Sequence, residues 1–422
     1  MRERGRKMKT SIIILTHNQL EYTVRCLASI ISHTKDYELV LVDNGSTDGT
    51  PEMIRRLGCK AVFNAVNAGF AKGCNQGLEL ADGEFVLFLN NDTVVTEGWL
   101  EAMLRALESD RTAGMTGPVS NYVSGQQQVE ADYGPGLEGL GAYAAARSAA
   151  WQGKIIEVPR LVGFCLLLPR DLALEMGGFD ERFGLGNYED DDLCMRIRSR
   201  GYRLVVACDS FIHHYGHVTI NALEDFDLTA LLSVNREIAR RKWGEDLIDL
   251  IYKVQPTLTL CVGADPDAGQ EQMERTLDSM AGLADEIMLV HYGGRDSRES
   301  VHRTGLIRNL KTVYAEAEGE QGAEANGVAA GLREAGRDFI LWLRAGEELQ
   351  RDDALAFRSF RRGLSADVPL ISFSSLGSSQ PVRMALCTDG LHWDSAAGFS
   401  LPSGEWPHEL DIRVGGSAWA SP

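Results

Sequence analysis

Short apolar runs that end on acids and amides constrain this chain more than any other feature. "SIIIL" (Ser11–Leu15) leads into Thr16-His17-Asn18, "ELVLV" (Glu38–Val42) into Asp43-Asn44-Gly45, and "EFVLFL" into Asn90-Asn91-Asp92. Helical spacing fills the intervals. "EYTVRCLASIISH" places apolar residues at Val24, Leu27, Ile30 and Ile31, and "TPEMIRRLG" has Pro51 in its first turn and Gly58 as its stop. A further helix is expected in "KGCNQGLELA". Unbroken apolar strands alternating with helices predict an α/β fold, a mostly parallel sheet covered on both faces. Ligands of such sheets bind beyond the carboxyl ends of the strands, and three polar clusters gather on that edge here. "DNGSTDGT" also reads as an ordinary turn followed by an N-cap. Turn chemistry alone does not ask for acids at the ends of several strands.

The pattern then recurs. "TLTLCVG" (Thr257–Gly263) follows "TSIIILT", "TLDSMAGLADEIMLVHYGGRDS" follows "CLASIISHTKDYELVLVDNGSTD", and "GRDFILWLRAG" follows "DGEFVLFLNND". Conserved order and near-constant spacing predict an internal duplication, against the plainer alternative of two unrelated α/β domains. Asp43 corresponds to His291 and Asp92 to Gly346, so the second copy keeps the strands and loses the acids. The expected domains are residues 1–252, with a helical part over about 222–252 that ends before Pro256, and residues 253–422. A chain of 422 residues exceeds one ordinary core, which agrees with two.

Net charge of −18 argues against nucleic acid or an anionic membrane as the main partner, since both require a basic face. Eight scattered cysteines without a CxxC pair fit reduced thiols rather than a disulfide framework or a zinc site. No apolar run approaches the roughly twenty residues of a membrane span, and the charged N-terminus precedes too short a run for a signal peptide. The expectation is a cytoplasmic protein with no transmembrane segment.

The densest polar signal is "GNYEDDDLCMRIRSRGYRLVVACDSFIHHYGHVT". Glu189 to Asp192 open a helix that stops at Gly201, and three histidines follow the next strand within five residues. Acids also favour helix N-termini for dipole reasons, so a solvated first turn is the plain alternative. With Asp92, the histidines offer one carboxylate and one imidazole to a divalent ion, leaving positions for a ligand's oxygens.

Taken in order, "TSIIILTHNQ", "LVLVDNGSTDGT", "NAGFAKGCNQG", "FVLFLNNDT", "GGFDERFG" and "YEDDDLCMRIRSRGYRL…HH" resemble family 2 glycosyltransferases of the GT-A fold over roughly residues 10 to 220. The resemblance implies a nucleotide-diphosphate sugar donor at the strand edge. Thr16 and Asp43 take the base-contacting positions, with Asn18 beside them, and a carboxylate at 43 favours a uridine or thymidine donor. The family's Asp-x-Asp falls on Asn90-Asn91-Asp92, with Asp92 as ligand to Mn²⁺ or Mg²⁺ and Asn90 as a departure that adds no charge. His214 takes the second metal position, with His213 as the near alternative. Asp190 is the implied base, with Glu189 beside it. Lys72 is a candidate phosphate contact, Asp180 a candidate shaper of the acceptor side, and "FGLGNYE" a candidate lid.

The chemistry implied is inverting transfer of a sugar to a hydroxyl of a glycan, lipid-linked or protein acceptor. Leaving-phosphate charge calls for a cation, and a hydroxyl nucleophile calls for a base. The second copy reads as a degenerate, non-catalytic GT-A-like domain that binds acceptor, docks a partner or supports a homo-oligomer. His408 and Glu409 are candidate remnants of an acceptor or base site there. The competing classes are a non-catalytic scaffold, a sugar-nucleotidyltransferase and a dehydrogenase. The nucleotidyltransferase reading lacks its glycine-rich basic loop after the first strand, and the dehydrogenase reading lacks a GxGxxG after any strand.

Overall fold

The computed structural model divides the chain into two compact units, Met1–Lys253 and Val254–Pro422. It describes residues 10–110, 112–216 and 227–253 of the first. Of the second it describes 257–264, 269–279, 283–292, 310–315, 323–335, 338–349 and the short strands 370–373, 382–386, 392–394, 398–400, 408–410 and 414–415.

The first unit begins with β1 (Thr10–Thr16), α1 (Leu20–His33), β2 (Tyr37–Asp43), α2 (Thr50–Leu57), β3 (Lys60–Phe63), α3 (Phe70–Leu80), β4 (Phe85–Asn90) and β5 (Thr93–Val95). It continues through α4 (Trp99–Glu108), β6 (Ala113–Ser120), α5 (Leu140–Ala150), β7 (Ile155–Val158), β8 (Cys165–Pro169), α6 (Arg170–Glu175), α7 (Glu189–Ser199) and β9 (Arg203–His214). The sheet order is β3-β2-β1-β4-β8-β6-β9-β5, with β7 also on β9. Strands β1 to β4 are parallel to one another, as expected, whereas β8 runs antiparallel between β4 and β6. The sheet is therefore mixed.

Period-two alternation sends successive residues of one strand to opposite cores. Ile12 and Ile14 join Leu27, Ile30, Trp99 and Met103 on one face, and Ile13 joins Cys74, Leu78, Leu193 and Ile197 on the other. Each fully buried aliphatic side chain stabilises the fold by about 1.5–3 kcal/mol relative to exposure. None of that depends on the polar residues at the strand ends.

The expected continuous helix over 222–252 is two helices, α8 (Leu228–Trp243) and α9 (Leu247–Tyr252). Gly244 is left-handed at the end of α8, and the Asp246 side chain caps α9 through the Ile248 amide, so the chain turns between them.

The second unit has β10 (Leu258–Ala264), α10 (Gln270–Ser279), β11 (Glu286–His291), β12 (Leu310–Tyr314), α11 (Ala323–Glu334) and β13 (Phe339–Arg344). These strands form β12-β11-β10-β13, all parallel, and the antiparallel strand Val382–Leu386 extends them beyond β13. His408 and Glu409 lie in a short strand parallel to Leu370–Phe373.

Candidate active site

Pairing of β1 with β2 sets Thr16 opposite Asp43. The Thr16 hydroxyl lies 3.4 Å from Asp43 Oδ1, and the Ser46 amide donates to Oδ2 at 3.2 Å, so the buried carboxylate is oriented at the head of its loop. Asn18, at φ 55°, accepts from the Thr47 amide at 2.8 Å and ties the two loops together. Asn44 organises the next stretch. Its Nδ2 donates to Asn67 Oδ1 and Gly69 O, and its Oδ1 accepts from Asn64 and the Ala68 amide. All four hydrogen-bonding positions of that amide are filled, which fixes the wall of the site.

A cavity of about 690 Å³ opens beside this edge. It brings Asn90, Asn91 and Asp92 together with Glu189, Asp190 and His214, which lie 97 or more residues further along the chain. Thr16, Asn18 and Asp43 are outside its lining, to which their neighbours Leu15, His17 and Asn44 belong, and Lys72 is exposed on α3 and also outside it. Asp180 is also outside. It is held by Arg182 and by Lys242, whose ammonium reaches Asp192 as well, and these cations hold its carboxyl well below the usual carboxylate range.

Register explains how Asp92 meets His214. Antiparallel β5 and β9 pair Thr93 with His214, which sets the preceding Asp92 against the imidazole, Oδ1 3.2 Å from Nε2. Asn121 clamps the His214 backbone from both sides, accepting its N–H and donating to its carbonyl, and Phe164 stacks on the ring at 5.1 Å. The Nδ1 atom lies 2.8 Å from the Tyr122 carbonyl, which only accepts, so Nδ1 carries the proton. Nε2, the other ring nitrogen, faces the carboxylate oxygen and makes no hydrogen bond among the described residues. A carboxylate oxygen and an imidazole nitrogen opposed at this distance are a donor pair that a divalent cation can share. Among the described residues no cluster of three His, Cys, Asp or Glu side chains forms a complete cage, so Asp92 and His214 are the pair those residues offer a divalent ion here.

His213, the alternative, points elsewhere. Its Nδ1 meets the Tyr133 hydroxyl at 2.6 Å, it is outside the cavity lining, and burial pushes it down to about 4.

The acids of α7 have four different fates. Asp190 accepts from the Gly163 amide at 2.8 Å and from the Asp191 amide at 2.9 Å. A Cβ at Gly163 would sit 3.2 Å from that of Asp190, so glycine permits the close approach. Asp191 lies 2.7 Å from Arg160 Nε, and burial raises its carboxyl to about 8 despite that cation. Glu189 is buried with Oε2 unpartnered, and burial together with the Asp190 charge lifts it well above its ordinary value. Asp192 is sealed among Arg196, Lys242 and Trp243 Nε1 and is structural. The "FGLGNYE" loop, read from sequence as a lid, is tethered: Asn235 Nδ2 lies 2.8–3.0 Å from the carbonyls of Phe183, Gly186 and Asn187.

Residues 11–173 match the family model described as glycosyl transferase family 2. An N-acetylglucosaminyl-diphospho-decaprenol L-rhamnosyltransferase of Mycobacterium tuberculosis (strain ATCC 25618 / H37Rv) is 28% identical over 236 residues, 49% of this chain and 76% of the relative. A putative polypeptide N-acetylgalactosaminyltransferase 13 of Drosophila melanogaster is 26% identical over 281 residues, 58% of this chain and 50% of the relative. Among solved structures, GalNAc-T7 with UDP, GalNAc and Mn²⁺ aligns at a TM-score of 0.43 and 18% identity, over 58% of this chain and 50% of that one. The protein is a glycosyltransferase. No helix among the described residues is long and apolar enough to cross a membrane.

Proposed function

We propose that the first unit is an inverting, metal-dependent glycosyltransferase. It takes a sugar from a UDP- or dTDP-linked donor and passes it to a hydroxyl of a glycan, lipid-linked or protein acceptor. The observation that carries this reading is the opposed pair of Asp92 Oδ1 and His214 Nε2 in the same cavity as Asp190. Asp92 and His214 would hold Mn²⁺ or Mg²⁺, which as a Lewis acid neutralises charge on a departing diphosphate. Asp43, oriented by Thr16 and the Ser46 amide, presents its loop to the base, and Asn90 and Asn91 flank the metal acid.

Asp190 receives the proton of the acceptor hydroxyl. Two backbone N–H donors fix its carboxylate, so it meets the hydroxyl without reorganising. Burial and the Asp190 charge push Glu189 well above its ordinary value, toward the neutral form, which lessens the negative charge beside Asp190. One base and direct displacement give inversion at the anomeric carbon.

The second unit is, on this reading, a degenerate repeat that does not catalyse transfer. Support comes from register. Ser11 pairs with Glu38 and Thr10 with Phe85 in the first sheet, and Thr259 with Glu286 and Leu258 with Phe339 in the second. The test of the whole reading is calorimetry with UDP, dTDP, GDP and CDP, with and without Mn²⁺. One metal-dependent diphosphate site per chain, lost in Asp92→Ala, is the expected result. Two sites per chain would overturn the reading of the second unit, and none would overturn that of the first.

A further inference from the structure

Beside the cavity, the β6–β9 ladder ends at Ser120 and Ile212, two residues short of His214. Asn121, the first residue after β6, continues it with its side chain. Oδ1 accepts the His214 N–H at 2.9 Å, and Nδ2 donates to the His214 carbonyl at 3.1 Å. A carboxamide carries an acceptor and a donor as a peptide group does, so one side chain satisfies both backbone groups. Tyr122, the next residue, holds the ring itself, with its carbonyl 2.8 Å from Nδ1. Gly216 lies directly on the Tyr122 ring, where a Cβ would come within 2.1 Å, so close packing backs this segment.

The opposite member of the pair is fastened as well. The Asp92 carbonyl accepts the Tyr215 N–H at 3.0 Å, which ties Asp92 to the residue after His214. Asn91 donates to the Thr23 hydroxyl of α1 at 3.0 Å, which ties the same turn to that helix. So held, Asp92 Oδ1 and His214 Nε2 stand 3.2 Å apart. Two ligand atoms roughly 2.1 Å from an octahedral Mg²⁺ and at right angles lie about 3 Å apart. The difference is inside the roughly 0.5 Å within which a preorganised site must be held. Asn121 is not in the cavity lining, and both polar groups of its side chain are engaged by His214, so it is no ligand itself.

We infer that Asn121 is a positioning residue of the cation site, and that it sets the site's affinity through His214 without touching the ion. The inference rests on the proposed assignment of Asp92 and His214 to a divalent cation, and it adds a residue that lies outside the cavity. With only two side chains offered to the ion, each must stand at its place before the ion arrives, and the imidazole depends on the strand that carries it. Removing the carboxamide frees the His214 backbone at both its N–H and its carbonyl, and the ring moves with it. A purely structural role would differ in kind: it would lower the stability of the first unit and leave the bound ion's contact with the imidazole as it was.

The test titrates Mn²⁺ into the full chain, alone and with UDP, and follows the free ion by electron paramagnetic resonance. Asn121→Ala should weaken Mn²⁺ binding about 10- to 100-fold, the range for a residue that orients a metal ligand. Spin-echo modulation with protein in excess then reads the ¹⁴N coupling of a coordinated imidazole. Wild type should show it, His214→Ala should lack it, and in Asn121→Ala it should fall. Asn121→Gln keeps both polar functions one methylene out of place and should show the same two changes in smaller measure. It also covers the case in which Asn121→Ala does not fold. Unchanged Mn²⁺ affinity in the folded variants overturns the inference, and so does a weakened affinity with the ¹⁴N coupling intact. The two readings fail separately. A wild-type chain that binds no Mn²⁺ in either condition removes the cation assignment and this one with it. A His214-dependent ¹⁴N signal that neither Asn121 variant changes removes the role of Asn121 alone.

Discussion

The carboxyl edge of β1, β2 and β4 and that of β10, β11 and β13 share one framework and differ in what stands on it. Ser11 donates to Glu38 across the first pair, and Thr259 donates to Glu286 across the second. Gly77 of α3 packs on Ile13 and Val42, and Gly331 of α11 packs on Cys261 and Val290, the corresponding positions. At the strand ends the likeness stops. Asp43 accepts two hydrogen bonds, whereas His291 is buried against Tyr314 with neither ring nitrogen hydrogen-bonded among the described residues. Asn90 faces the cavity, whereas Arg344 is closed in a bidentate pair with Glu324. The lesson is energetic. Apolar burial and helix–sheet packing hold the scaffold, so the polar ends are free to carry a site or to lose one.

Replacing the acids of the first edge tests the comparison most severely. Asp190→Asn should lower kcat by about 10²–10⁴-fold with little change in donor affinity, the range expected for loss of a general base. Steady-state kinetics with the donor identified by calorimetry checks it, and a variant within threefold of wild type would remove Asp190 from its role. Asp92→Ala or His214→Ala should weaken Mn²⁺-dependent nucleotide-diphosphate binding by about a hundredfold or more, beyond the range for a supporting residue. Binding without Mn²⁺ should barely move.

A stability prediction follows at smaller scale. Asn235→Ala strands carbonyls of Phe183, Gly186 and Asn187, and it should cost about 1–3 kcal/mol in denaturant unfolding of the first unit. Unchanged stability would mean that water replaces the amide and that the loop is free to move after all.

Protonation supplies a further distinction between the edges. Asp191 has a folded-state value near 8 against an ordinary 3.8, so the folded form retains a proton that the unfolded chain releases. Its contribution is therefore fully present below about pH 4 and is lost as pH rises toward 8. Glu189, raised by burial and Asp190, acts in the same direction. Asp191→Asn should accordingly raise the melting temperature more at pH 8 than at pH 5. An equal shift at both pH values would show that Arg160 keeps Asp191 ionised throughout. The smallest expected effect belongs to the second edge: His291→Ala should leave nucleotide stoichiometry and affinity unchanged. A fall in stoichiometry would give the second unit a site.

Much was legible in advance because it is local. Strand ends at Thr16, Asp43 and Asn90, the acidic start of α7 and the run ending at His214 follow from periodicity and from polar residues that interrupt it. The parallel order of β1 to β4 followed too. The antiparallel insertion of β8 between β4 and β6 was not readable, because strand neighbours distant in sequence leave no periodic trace. Neither was the break at Gly244, which looked like the interior of one helix.

What the sequence determined by itself is the inventory: alternating apolar elements, a strand pattern that recurs without the acids, and the residue types that the proposed transfer chemistry needs. Tertiary structure decided which of them meet. It chose His214 over His213, because β5–β9 register turns one imidazole to Asp92 and buries the other against Tyr133. It set Asp180 and Asp192 into an ion-paired support around Lys242, and it brought Arg160 from a loop to the flank of Asp191. Register and burial are set by contacts between residues far apart along the chain. Local pattern fixes a side chain's type and its element, and only the packed sheet fixes what it faces.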